Sequence, residues 1–347
     1  MIGGSGLRRA ALATGLPVAG LVAWEAVRRH DRRRVAADPD WVELNSPLGG
    51  RDEEVESPDG ARIHVEVFGP EGAPTIVLIH GWTCALRFWH DQIRDLSSRH
   101  RIVAYDQRGH GRSSVPGSGG FTPEALADDL QAVLEATVPA GETCVVAGHS
   151  LGGMALVAWA GRHEREVQRR LAAAVLVSTG TSDLIAEALG IHNPVLARAH
   201  RAVSPELISL RVPIPAYSSP LTRRLYRLLV MSPGASEGRV AFCERLLYEC
   251  SPAARGNAGR AISTLDIDRY VRRITVPATV VVGELDRLTP AVHARRLAAA
   301  LPDLVDLVEI PGVGHMTPVE APAEVTSAIR ELAAATLGDR APPRARG

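Results

Sequence analysis

The sequence predicts an α/β fold. Its sheet is mostly parallel and of the eight-stranded type, with helices on both faces and a helical lid inserted after the sixth strand. Three observations carry this. Short apolar runs alternate with helical patterns along most of the 347 residues, and such alternation implies a parallel sheet covered on both faces. A glycine-rich turn, Gly148-His149-Ser150-Leu151-Gly152-Gly153, joins an apolar run to a small-residue helical segment. The alternation stops between residues 182 and 267 and then resumes.

Residues 1–40 differ in kind from the rest. Arg8-Arg9 precede an apolar run from Ala10 to Trp24, and Arg28-Arg29-His30-Asp31-Arg32-Arg33-Arg34 follow it. As a helix, Ala10 to Val27 would span about 27 Å, just short of a hydrocarbon core. Gly15, Pro17, Gly20 and Glu25 weaken it further. Three readings stay open. A marginal membrane anchor would leave the protein on the cytoplasmic side, because the heavier positive charge follows the run, and this reading is favoured. A signal peptide and export fit the twin arginines and Ala36-Ala37. The third is a loosely docked amphipathic segment.

The first part of the core is expected over 41–181. Arg62–Phe68 alternates like an antiparallel edge strand, and Thr75–Ile79, Ile102–Tyr105, Thr143–Ala147 and Ala173–Val177 read as buried strands. Helices are expected at Phe88–Ser98, Pro123–Thr137 and Met154–Arg162. The lid, 182–267, holds helical runs at Glu206–Arg211, Leu221–Met231 and Gly238–Tyr248, separated by prolines. The second part of the core, 268–338, adds strands Thr279–Val282 and Val305–Ile310 and helices Pro290–Leu301 and Pro322–Leu337, and 339–347 reads as a disordered tail.

The turn at Ser150 points to nucleophilic chemistry. A serine between strand and helix sits on a tight bend with its hydroxyl exposed, and a side chain at Gly148 or Gly152 would collide with neighbouring backbone. Such a serine needs a base, and the base an orienting acid, in the chain order Ser, Asp/Glu, His. Asp286 and His315 supply them, each in a loop just past the carboxyl end of a strand, at the edge where α/β sheets bind ligands. Leu151, the first helical residue after the serine, offers a free amide for a developing oxyanion. His149 is a poor base, because adjacent side chains on a sharp turn point apart.

At these residues the chain resembles the α/β-hydrolase superfamily, from about Ala61 to Leu337. His80-Gly81-Trp82 after one strand and Asp106-Gln107-Arg108-Gly109-His110-Gly111-Arg112-Ser113 after another match its pattern, together with the Ser150 turn and the two loops. The resemblance implies that Ser150, Asp286 and His315 are catalytic, and that the amide of Trp82 joins that of Leu151 in the oxyanion hole. It also implies that His80 braces the oxyanion loop and that the loop from Asp106 is structural. The expected activity is a serine hydrolase, esterase- or lipase-like, cleaving a carboxylic ester. Phe88, Trp89 and Met316 are candidate walls of an apolar substrate pocket. Carbon–carbon bond hydrolases, cofactor-free perhydrolases and slow-turnover ligand receptors resemble the chain through the same triad and stay open as alternatives.

The resemblance implies a small-molecule ester or lipid-like substrate as partner; a membrane surface stays open from residues 1–40, as does the oligomeric state. The formal net charge is zero, which argues against nucleic acid. No cofactor or metal is expected: the sequence has no Cys-x-x-Cys or His-Glu-x-x-His, and Gly117-Ser118-Gly119-Gly120 has no strand before it to make a phosphate loop. Four cysteines make no disulfide framework. Cys243 and Cys250 lie seven residues apart on one expected helix, about 10 Å along its axis, too far to bridge.

Overall fold

The computed structural model describes residues 23–115, 120–184, 187 and 218–338. Residues 23–37 form a helix, α1, and Asp38 caps the next one, α2 (Pro39–Leu44), by accepting from the Asp40 amide. Among the described residues no helix is long and apolar enough to cross a membrane; the apolar run from Ala10 lies largely outside them.

Eight strands form one sheet in the order β1-β2-β4-β3-β5-β6-β7-β8. They are β1 (Arg51–Glu56), β2 (Arg62–Phe68), β3 (Thr75–Ile79), β4 (Arg101–Tyr105), β5 (Cys144–His149), β6 (Leu171–Val177), β7 (Ala278–Gly283) and β8 (Leu304–Ile310). The β1–β2 and β2–β4 pairs are antiparallel and all others parallel. The sequence reading placed β2 at the edge; the structure moves it one position in. Arg-Asp-Glu-Glu-Val-Glu does not look like a strand, yet pairing with β2 makes it one, and only Val55 of β1 is buried.

β3, β5 and β7 are buried at every position because both faces of the sheet are covered. Alternate residues feed separate layers: Val77 and Ile79 of β3 join one apolar cluster, Ile76 and Leu78 the other. The first layer is closed by α4 (Pro123–Thr137) and α5 (Leu151–Arg162). The second holds a 3₁₀ turn (Leu86–Trp89) and α3 (His90–Leu96). α5 is buried on all sides from Leu151 to Ala160, as a helix apolar all round must be. A short helix, α6 (Glu164–Arg170), leads into β6.

Between β6 and β7 the described chain adds α7 (Pro220–Val230), α8 (Glu237–Glu249) and α9 (Pro252–Ser263). Serines cap all three starts: Ser219, Ser236 and Ser251 accept from the amides of Thr222, Arg239 and Ala254. The run expected at Glu206–Arg211 lies outside the described residues. α10 (Ala291–Ala300), α11 (Thr317–Glu320) and α12 (Pro322–Leu337) complete the core. All four cysteines are buried free thiols.

Candidate active site

The site is assembled from loops at the carboxyl ends of two pairs of neighbouring strands. β3 and β5 lie side by side and lead to His80-Gly81-Trp82 and to Ser150; β7 and β8 lie side by side and lead to Asp286 and His315. Ser150 has φ 51° and ψ −116°, a strained region for a side chain with a Cβ. Its surroundings hold it there. The Ser150 amide donates to Val177 O at 2.9 Å, and Thr179 Oγ1 donates to Ser150 O at 2.7 Å. A Cβ on Gly148 would lie 2.5 Å from Gly152 O, and one on Gly152 only 2.2 Å from Ile79 O. Both glycines are therefore required by backbone approach.

The loops after β7 and β8 are fastened together. Glu284 N and Leu285 N donate to Ile310 O and Val313 O at 2.9 and 2.8 Å. This sets the Asp286 carboxylate beside His315: Nδ1 is 2.9 Å from Oδ2 and 3.0 Å from Oδ1. Asp286 also accepts from Leu288 N, Thr289 N and Thr289 Oγ1 at 2.8–2.9 Å. Burial opposes ionisation of Asp286, but the charge and hydrogen bond of His315 and the Thr289 donors outweigh it and hold its carboxyl below the ordinary value. An ionised carboxylate only accepts, so Nδ1 of His315 carries a proton when neutral and Nε2 is a bare acceptor. Ser150 Oγ lies 3.1 Å from that Nε2. Hydroxyl, imidazole and carboxylate thus stand in line, an arrangement able to take a proton from the serine and return it elsewhere.

The oxyanion candidates flank this line. Leu151 opens α5, where an amide has no intrahelical acceptor. Trp82 follows Gly81, whose added Cβ would stand 3.2 Å from the Cβ of Ser150; the loop passes that close to the serine. The Trp82 indole donates to Arg255 O in α9 at 3.0 Å. His80 donates from Nδ1 to Gly81 O at 2.7 Å and accepts from Gln107 N at 3.0 Å, which ties the Trp82 loop to the loop after β4. There Asp106 accepts from Leu86 N at 2.7 Å and Arg112 N at 2.9 Å, and fully buried Arg108 forks onto Asp129 at 2.6 Å.

Three residues expected to wall a pocket are interior instead. Phe88, Trp89 and Met316 are 1, 0 and 4 % exposed and belong to the second apolar layer. The cause for the first two is the 3₁₀ turn, which buries both rings. Phe88 lies face-near to His149, centroids 4.6 Å apart, beneath the site.

Two side chains that the sequence did not single out as site residues hold His315 in place. His149 donates from Nε2 to His315 O at 2.9 Å; burial pushes its pKa down to about 3, so it stays neutral. Glu320 accepts from the amides on both sides of His315, Gly314 at 3.2 Å and Met316 at 3.1 Å, and from Ser232 N in the insertion at 2.7 Å. No spacing in the sequence marks Glu320, because its partners are backbone groups. A metal is not needed to explain the charged cluster on β1–β2. Asp52, His64 and Glu66 bring donor atoms within 4.8 Å of one another, but the Arg112 guanidinium already stands 2.7 Å from Asp52 and 4.0 Å from Glu66.

Residues 74–322 match the family described as the alpha/beta hydrolase fold, and the chain belongs to that family. It is 28% identical over 298 residues to "Probable oxidoreductase EphD" of Mycobacterium tuberculosis, covering 80% of this chain and 49% of that protein. The chain therefore spans about half the length of those curated relatives. It is 27% identical over 277 residues to "Epoxide hydrolase 4" of Mus musculus, covering 78% of this chain and 66% of that one. Among solved structures, a thermophilic esterase from Thermogutta terrifontis superposes with a TM-score of 0.63 at 24% identity, over 81% of this chain and 97% of the esterase. That likeness is one of fold.

Proposed function

We propose that the protein is a serine hydrolase that cleaves a carboxylic ester with an apolar acyl group. The observation that carries this reading is the line Ser150 Oγ, His315 Nε2/Nδ1, Asp286 carboxylate, at 3.1 and 2.9 Å. Ser150 Oγ attacks the acyl carbon as its proton passes to His315 Nε2, and Asp286 stabilises the imidazolium. The amides of Leu151 and Trp82 hold the oxyanion, each worth a few kcal/mol in the transition state. Collapse expels the alkoxide, which takes the proton from Nε2. Water, deprotonated by the same nitrogen, then releases the acid and regenerates Ser150.

A serine at position 150 favours an acyl enzyme over the aspartyl ester that an epoxide hydrolase or dehalogenase would form. The half-buried ring of Trp82 on the oxyanion loop supports an apolar acyl group. The insertion serves as a lid: the bonds of Trp82 to Arg255 and of His315 N to Val230 O support that role. Labelling with a fluorophosphonate followed by a panel of esters of rising chain length tests the reading. Covalent labelling at Ser150 with turnover is expected; labelling elsewhere, or none, overturns it.

A further inference from the structure

The hydrolytic reading leaves an exposed leucine face on α7 without a role. Leu221, Leu225, Leu228 and Leu229 are 66, 49, 57 and 50 % exposed. Their spacing puts them on one side of the helix. The other side is held to the protein: Pro220 and Tyr226 are buried, and Arg223 and Arg227 pair with Glu244 and Glu237. A continuous exposed apolar stripe rimmed by charge marks a surface built to meet another phase or partner.

Position and charge identify that partner. α1 lies beside the start of α7, with Arg224 paired to Asp31 at 3.2 Å, and Arg28, Asp31 and Arg32 line a cleft with Ser219, Pro220 and Arg223. α1 carries five arginines, Arg28, Arg29, Arg32, Arg33 and Arg34, against Glu25 and Asp31. Trp24 and Val27 are exposed at its start, and the sequence upstream is the apolar run from Ala10. The other end of α7 reaches the candidate active site: Val230 O accepts from the His315 amide at 3.0 Å, and Arg287 bonds to Leu228 O. Leu285 and Leu288, flanking Asp286, are themselves 39 and 37 % exposed.

We propose that α7 is an interfacial helix. Its leucine face enters the headgroup–acyl boundary of a bilayer containing anionic lipid, while the arginines of α1 engage the phosphates. Docking in this way sets the Ser150 site against the surface in which apolar esters are dissolved. The inference deepens the ester-hydrolase reading by naming where substrate is presented, but docking itself needs no catalysis.

The test uses the full chain with Leu225→Cys carrying an environment-sensitive fluorophore, since the native thiols are buried. Vesicles of equal parts phosphatidylcholine and phosphatidylglycerol should shift its emission to the blue, and a lipid-borne spin label should quench it. Pure phosphatidylcholine should do so less, and high salt should weaken the response. Adding Leu221→Glu and Leu229→Glu should lower vesicle affinity about 10-fold or more and slow hydrolysis of a vesicle-embedded ester, with turnover of a soluble short ester unchanged. Unchanged emission while the protein sediments with vesicles would assign membrane contact to the N-terminal run alone and overturn the proposal. A blue shift that grows with protein concentration and ignores lipid would give the face to a second copy of the chain, also overturning it. Docking without turnover of any soluble ester would sink the hydrolase reading and leave the docking intact.

Discussion

Two buried histidine–aspartate pairs in this molecule look alike from the carboxylate side and differ at the far nitrogen. His315 Nδ1 lies 2.9 Å from Asp286, and His64 Nδ1 lies 2.8 Å from Asp106. Beyond His315 Nε2 stands the hydroxyl of Ser150; beyond His64 Nε2 stands a second carboxylate, Asp52, at 2.9 Å. Burial disfavours a charged His64, but the hydrogen bonds to Asp106 and Asp52 outweigh it and raise its pKa. The two carboxylates thus favour the protonated form of His64, which cross-links β1, β2 and the loop after β4. An aspartate beside a histidine does not make a general base. The free nitrogen must also face a group with a proton to give.

The largest effect separating the pairs is expected at Ser150. Ser150→Ala should lower kcat on a short ester by about 10⁵-fold or more and abolish fluorophosphonate labelling, with the thermal midpoint retained. Asp286→Asn should cost about 10⁴-fold in kcat, because an amide can donate and so favours the wrong His315 tautomer. Full activity in that variant would move the orienting acid elsewhere. Glu320→Gln keeps the size but loses acceptor strength toward the Gly314, Met316 and Ser232 amides. Displacement of His315 should then lower kcat by about 10- to 100-fold and slow labelling of Ser150 in proportion, with KM little changed. A loss of thermal stability with wild-type labelling kinetics would make Glu320 structural only.

The smallest effect concerns the other pair and is read in stability. The folded pKa of His64 is raised above its unfolded value of about 6.5, so its stabilisation is complete below that value and is lost as pH rises through the folded pKa. The difference in thermal midpoint between wild type and His64→Gln should therefore be widest in mild acid and shrink toward alkaline pH, while ester turnover at neutral pH is preserved. A difference that widens with rising pH would mean that His64 is neutral in the fold.

Much of the architecture was legible because burial writes itself into periodicity. Arg62–Phe68, Thr75–Ile79, Pro123–Thr137 and Pro322–Leu337 are found with the bounds their patterns predict. The candidate site residues were legible as loop positions after strands, and the structure brings His315 within hydrogen-bonding reach of both Ser150 and Asp286. β1 was hidden because five of its six residues are charged and its identity comes from β2. α9 was hidden because Gly256, Asn257 and Gly259 are poor helix formers, and packing of Ala254, Gly256, Ala258 and Gly259 in the interior decides the matter. Phe88 and Trp89 misled because an aromatic beside a site motif reads equally as pocket wall or core.

The rim of the sheet has its own consequence. One outer strand, β1, displays Arg51, Asp52, Glu53, Glu54 and Glu56, and the opposite one, β8, exposes Leu304 and Val305 but interposes Asp306 and Glu309. A second molecule adding a strand at β1 would have to strip water from these charged side chains before any ladder could form. An open sheet is a template for its own extension unless charge blunts it. Here the guard is made of ion pairs, Glu53 with Arg51 and Glu54 with Arg62, which a new strand would have to break or strip of water to pair with β1.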